Sequence, residues 1–314
     1  MGLFDRWQRP TPPPTGGHEG SVLPALAPDA ADRLLALTRS ELASRGLEAT
    51  IDAGALQLSG GQVFGLHNLS VVAAGTRERR WPQVVASHLD ALLNPPDTSG
   101  PPDPGQVLAQ LRTRTEIPTQ PAYPAQEPLP GVIAMIALDF PDHVVESVDL
   151  PDGIPDTATA MTLARSNLRE LPPPEHQSYC PEEDDPTSQV HLFVTDDFFG
   201  AARLLVLDEL LERVGVEVGP GGVLLCAPCR HVLVVHPLVG PGVLAAMRWM
   251  VAFARGEHET QPGPVSPHVF HRAADGQVVQ ATQVDESGQI SVVAEDGLAD
   301  ALTEILGEPE PDDD

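Results

Sequence analysis

Two nearly unbroken apolar runs, residues 223–227 and 232–235, constrain this chain more than any other feature. Each is short, bounded by turn residues, and reads as a strand buried on both faces rather than as helix. Gly219-Pro220-Gly221-Gly222 supplies the turn before the first run, and Pro228 lies between the two. Upstream, Val190–Val194 is a third apolar run rich in β-branched residues, followed at once by Thr195-Asp196-Asp197. That tripeptide has helix N-cap chemistry, with two carboxylates suited to the positive end of a helix dipole. The spacing of Ala201, Leu204, Leu205, Leu207, Leu211 and Val214 predicts a helix with one broad apolar stripe, ended by Gly215. The resulting β-α-β-β unit has to be covered on both sides.

A second patterned region lies near the start. Asp29 can cap a helix carrying Leu34, Leu35, Leu37 and Leu42 and ending at Gly46. Strands are expected over 48–52, 55–58 and 66–73, and a helix opening at Trp81-Pro82-Gln83 follows. The 34 prolines and 27 glycines of the 314 residues concentrate in connectors, above all in a linker over 94–130 interrupted by a short helix at 107–114. A strand pair over 132–138 and 143–150, turned at Phe140-Pro141-Asp142, and a helix over 158–171 come next. After the apolar core, a helix over 242–255 precedes three strands separated by Asp275-Gly276 and Ser287-Gly288, both strong hairpin signals. A last helix covers 298–306.

The two best helices can be laid side by side. Ala31-Asp32-Arg33-Leu34-Leu35-Ala36-Leu37 matches Ala201-Ala202-Arg203-Leu204-Leu205-Val206-Leu207, and the elements after each follow a similar order. The expected fold is therefore α+β, with two related domains. Each is a small antiparallel sheet covered by helices, α-β-β-β-α followed by further strands and a helix. The boundaries are a disordered tail over 1–27, a first domain over 28–171, an acidic loop over 172–189, a second domain over 190–307, and an acidic tail over 308–314. The order of elements is similar to the small acidic secretion-chaperone fold, a likeness of topology alone.

Charge narrows the function. Against 18 Arg stand 45 Asp and Glu, a formal net charge of −27. Such a surface repels phosphate backbones and anionic lipid, which argues against nucleic-acid and membrane partners and favours a protein partner. No window approaches the roughly twenty apolar residues of a membrane span, and the N-terminus lacks the pattern of a signal peptide. Three cysteines, an odd number, make no disulfide framework. A cytoplasmic location follows as an expectation.

Three places resemble the YtpQ-like family of uncharacterised bacterial proteins. They are Leu163-Ala164-Arg165-Ser166-Asn167-Leu168, Val194 through Ala201, and Ala227-Pro228-Cys229-Arg230-His231. In that family an A-x-x-N-L helix, a V-T-x-D-x-x-x-A strand-to-helix junction and a P-S-R hairpin occur in this order. The resemblance spans about residues 30–255, brings no established activity, and departs at Cys229, where the family pattern has Ser.

Cys226-Ala-Pro-Cys229 is the motif with the most obvious chemistry. Between buried strands both cysteines read as core or turn residues, because a redox pair needs an exposed thiol at a helix N-terminus. A zinc alternative recruits Cys180 with His176, or His231, to complete a tetrahedral set. Thr195, Asp196, Asp197, Arg230 and His231 form the candidate ligand-binding junction; N-capping accounts for the aspartates, and pairing with a carboxylate for Arg230. Glycine-rich phosphate loops, zincin helices and nucleophile elbows are all missing from the sequence. No catalytic residue and no cofactor is assigned. The expected function is a non-enzymatic protein-binding or chaperone-like module. The alternatives are an enzyme or small-ligand-binding protein with its site at that junction, or a zinc-stabilised structural protein.

Overall fold

The computed structural model describes residues 21–23, 25–52, 54–58, 63–94, 102–114, 124–140, 143–147, 149–284, 290–293 and 296–307. The expected tail up to residue 20, much of the proline-rich linker, the turn residues Pro141-Asp142 and Ser287-Gly288, and the acidic end 308–314 lie outside them. The protein is α+β, built from helices and small antiparallel sheets. None of its described helices is long and apolar enough to cross a membrane.

Two compact units emerge, and the division falls at Ser99/Gly100 rather than in the 172–189 loop. The smaller unit comprises Pro14–Ser99 with Glu259–Gly263. It contains α1 (Pro28–Ser44), β1 (Ala49–Asp52), β2 (Ala55–Leu58), β3 (Val63–Gly65), α2 (His67–Ala74) and α3 (Trp81–Leu93). Proline at the first turn starts α1, and its end is a Schellman closure: Gly46, at φ 71°, donates to Ala43 O and Leu47 donates to Leu42 O. Leu23 and Leu26 are buried in this core, so packing begins before residue 28. The expected strand over 66–73 is α2 instead. Leu66, Leu69 and Ala73 are buried at helical spacing while Val72 is half exposed, and a short apolar run does not by itself distinguish the two periods.

The larger unit comprises Gly100–His258 and the chain from Pro264. Its first layer is the sheet of β4 (Val107–Thr113), β5 (Ala125–Leu129), β6 (Val132–Phe140) and β7 (His143–Glu146). β4 pairs along one edge of β6 for its whole length, while β5 and β7 share the other edge. The expected helix over 107–114 is thus a strand, because the long apolar β6 needs a partner on each side. Next come α4 (Thr157–Glu170), capped by the Asp156 carboxylate on Thr159 N–H at 2.7 Å, β8 (Glu175–Tyr179) and β9 (Val190–Val194). They are followed by α5 (Leu207–Arg213), β10 (Val223–Cys226), β11 (Val232–Pro237), α6 (Val243–Thr260), β12 (Phe270–Arg272) and β13 (Val278–Gln280). β14 (Thr282–Val284), β15 (Ile290–Val292) and α7 (Asp296–Leu306) complete the chain.

The two apolar runs occupy the middle of a six-stranded antiparallel sheet, in the order β13-β12-β10-β11-β9-β8. Their side chains alternate between two cores. Val223, Leu225, Ala227, Leu233 and Val235 join α4, α5 and the four-stranded sheet; Leu224, Cys226, Val232 and Val234 join α6 and α7. Continuous apolar runs are what a doubly covered sheet requires. β8 replaces part of the expected acidic loop. It is polar because it is an edge strand, with Glu175 and Ser178 exposed.

Residues 100–171 belong to this unit because β4, β6 and α4 bury their apolar faces in the same core as β9, β10 and β11. The matched segments 31–37 and 201–207 also differ: the first is α-helix, whereas the second begins as a 3-10 helix, Ala201–Val206.

Candidate functional site

The junction singled out in the sequence is built where β9 leaves the sheet beside the turn between β10 and β11. Thr195 N–H donates to His231 O at 3.0 Å, and Ala201 N–H donates to Arg230 O at 2.9 Å. Ala201 therefore spends its donor on the neighbouring turn, and no α-helix starts directly after Asp197. The chain instead turns through 196–200, runs as a 3-10 helix to Val206, and becomes α-helical only after Val206 leaves helical backbone angles, at φ −131° and ψ 35°. Gly200 is required by space. A Cβ there would lie 2.5 Å from the carbonyl carbon and oxygen of His231 and 2.6 Å from Thr195 Oγ1.

Asp197 is the centre of a closed network. Its Oδ1 accepts from Phe199 N–H at 2.8 Å and from Arg203 Nη1 at 3.0 Å, and its Oδ2 accepts from Arg203 Nη2 at 2.8 Å. Arg203 Nη2 also donates to Pro172 O at 2.9 Å, so one guanidinium ties the loop after β9 to the segment between α4 and β8. The Arg203 side chain is 3% exposed. Burial by itself raises the Asp197 carboxyl, but the bonds and charge of Arg203 and the Phe199 amide bring it below the usual carboxylate range. Asp197 does not cap a helix as expected: it closes a turn on the Phe199 amide and pairs with the buried Arg203. Asp196 is exposed and stands outside the network.

His231 is locked as a neutral ring. Nδ1 lies 2.8 Å from Asp197 O, an acceptor only, and Nε2 lies 2.9 Å from Arg230 Nε, a donor only; the proton is therefore on Nδ1. Burial first, then the Arg230 charge, lowers its pKa. Arg230 stacks over Phe198 at 4.2 Å from the ring centroid, and burial with the Arg112 charge lowers its own pKa to about 10, so it stays cationic at neutral pH. The expected carboxylate partner of Arg230 is replaced by His231 and Phe198. Arg112 itself is bonded to Glu146.

The five sequence candidates thus divide. Thr195, Asp197 and His231 are consumed in internal bonds, Asp196 is apart, and Arg230 keeps donors that no described residue uses. An acid–base pair needs a titratable group free to exchange a proton with substrate, and neither Asp197 nor His231 is free. Sequence reading missed Arg203, Gly200 and Phe198. Arg203 sits inside an apolar stripe, where a long basic side chain ordinarily covers the surface.

The thiols are placed equally firmly. Cys226 and Cys229 are buried, 0% and 1% exposed, and burial raises both, Cys229 to about 12, which leaves no thiolate at neutral pH. The zinc set does not assemble. Cys226 lies in register with Val234, Val234 with Leu192 and Leu192 with Gln177, so β10 and the β8 strand that bears His176 and leads to Cys180 are three strand spacings apart, roughly 14 Å. Among the described residues no group of three or more His, Cys, Asp or Glu could hold a metal.

A different set of groups gathers at the β8 edge. His176 Nε2 lies 3.1 Å from His191 Nδ1, and the His176 ring stacks on Phe193 at 5.0 Å. His191 borders a cavity of about 190 Å³ with Thr187, Gln189, Glu217 and Val239, and burial and the neighbouring His176 and His236 lower it to about 4. On the other face Tyr179 packs on Trp249 of α6 at 5.6 Å.

No protein-family model matches the chain, and no curated protein or solved structure matches it either. Of the three segments singled out in the sequence, the second and third meet through the Thr195–His231 and Ala201–Arg230 backbone bonds. Asn167 of the first donates to Pro104 O at 2.7 Å and Val107 O at 2.8 Å, anchoring the start of β4.

Proposed function

We propose that the chain is a non-enzymatic protein-binding module of the YtpQ-like kind, working in the cytoplasm, which takes up an extended, basic segment of a partner along β8. One observation carries this reading: β8 is an end strand of the six-stranded sheet whose outer backbone groups have no partner among the described residues. Thr195 bonds to His231, so along β9 residues 191, 193 and 195 turn their backbone groups to β11 and residues 190, 192 and 194 turn theirs to β8. Opposite the latter stand Tyr179, Gln177 and Glu175, which leaves His176 and Ser178 with N–H and C=O directed outward. An added strand would place alternate side chains beside Tyr179 and Trp249 on one face and His176 on the other. Exposed Glu175, Glu182, Glu183 and Asp184 lie on or just beyond this strand, and with the net charge of −27 they favour a basic partner. The buried, protonated thiols suit a reducing compartment.

The test uses Ser178→Pro. Proline there removes an outward N–H and none of the bonds to β9, so it blocks strand addition while leaving the sheet paired. Proteins from the source cells retained on the wild-type chain at high salt are compared with those retained on the variant. A stoichiometric partner that is lost from the variant, and that slows amide exchange at His176 and Ser178, supports the reading. A partner held equally by the variant, or the lack of any at high salt, rejects it.

A further inference from the structure

Arg230 is anomalous in a chain so rich in carboxylates. Its Nε is used by His231 and its planar face by Phe198, but among the described residues neither Nη has a hydrogen-bond or ion-pair partner, and the side chain is only half-buried. The charges that act on it are Arg112 and Glu146, which are bonded to each other. Asp197 is neutralised by Arg203, and His231 is neutral. Among the described residues, two guanidinium groups and one carboxylate leave a single positive charge uncompensated in a half-buried position, where an unpaired ion is costly. The guanidinium cannot swing away without giving up both the Nε–His231 bond and the ring stack, so it is pre-organised.

We propose that Arg230 is a carboxylate-binding site, in which the paired Nη1 and Nη2 donors grip one planar monoanionic group beside Phe198. The charge balance calls for one negative charge, which a carboxylate supplies and a phosphate dianion exceeds. The free end of the guanidinium presents two parallel donors, the geometry that a carboxylate accepts with both oxygens. The site uses none of the residues of the β8 edge, so it stands or falls separately from strand addition. The carboxylate belongs either to a small organic acid or to the C-terminus of a peptide.

The experiment titrates the full chain, at ionic strength held constant with chloride, with acetate, trialanine, trialanine C-terminal amide and inorganic phosphate. The readouts are the imidazole nitrogen signals of His231 and the Nε–H signal of Arg230. Saturable shifts with acetate or trialanine, silence with the amide, and no tighter response to phosphate are expected. Arg230→Lys keeps the charge and loses the fork, and should weaken binding by about tenfold or more; Arg230→Gln should abolish it. Trialanine binding more tightly than acetate identifies a peptide terminus as the source, and the reverse a small acid. Shifts that do not saturate, that persist in Arg230→Gln, or that appear with phosphate alone overturn the proposal. Should Arg230→Gln fail to fold, a full-strength response in folded Arg230→Lys overturns it equally.

Discussion

Residues 31–37 and 201–207 share the pattern alanine, spacer, arginine, leucine, leucine, yet one is a regular α-helix and the other a 3-10 helix held by its surroundings. In α1 the arginine is surface. Arg33 is 49% exposed and pairs with Asp29 and Glu78, themselves mostly exposed. In the larger unit Arg203 is 3% exposed and is shared between Asp197 and the Pro172 carbonyl. The residue before each segment repeats the contrast, with Ala30 in α1 and Gly200 pressed against His231. A shared local pattern specifies a stripe of leucines; it does not specify where the backbone donors go.

The largest way to break the contrast is Arg203→Ala. It strands a partly buried Asp197 and a carbonyl, and should destabilise the larger unit by roughly 3–5 kcal/mol, read from urea unfolding. Arg203→Lys should recover only part of this, since one ammonium does not replace the fork. Gly200→Ala comes next. Its methyl meets the His231 carbonyl, which cannot move aside as a side chain can, as well as Thr195 Oγ1, and a cost of about 2–3 kcal/mol is expected, against about 1 kcal/mol or less for Ala30→Gly in α1.

Acid should loosen the larger unit through its neutral histidines. The pKa of His191 is near 4 in the folded chain against 6.5 in the unfolded one, so the unfolded chain binds more protons between these values. Stability is then fully present above about pH 6.5 and is lost as pH falls toward 4, by on the order of 1–2 kcal/mol once solvent screening is allowed for. His231, lowered by burial and Arg230, acts with the same sign. Unfolding midpoints across this range should flatten in His191→Gln; an unchanged slope would remove His191 as the cause. The smallest effect is Arg33→Ala, which loses exposed pairs and should change stability by less than about 1 kcal/mol.

Legibility followed burial. The strands at 190–194 and 223–237 were readable because a sheet covered on both faces needs continuous apolar residues, and most helices because their stripes recur at helical spacing. β8 was hidden, since an edge strand exposed to water has no apolar run to give it away. At 66–73 and in β4 the period was not legible, because four or five apolar residues within a segment of seven or eight fit either a helix or a strand. At the candidate site, Thr195, Asp197, Arg230 and His231 were legible as polar residues flanking core strands. Their roles were not, because Arg203 and Gly200, which decide them, look like ordinary positions of a helix.

By itself the sequence determined an α+β protein with a doubly buried sheet and a strongly acidic composition. Tertiary structure alone decided that residues 100–171 join the larger unit, that the junction closes on itself, and that Arg230 keeps two donors unused. The physical reason is one of range. Periodicity and capping act within a few residues and are written locally, whereas a buried charge finds its partner, or fails to find one, only when distant strands bring their side chains together.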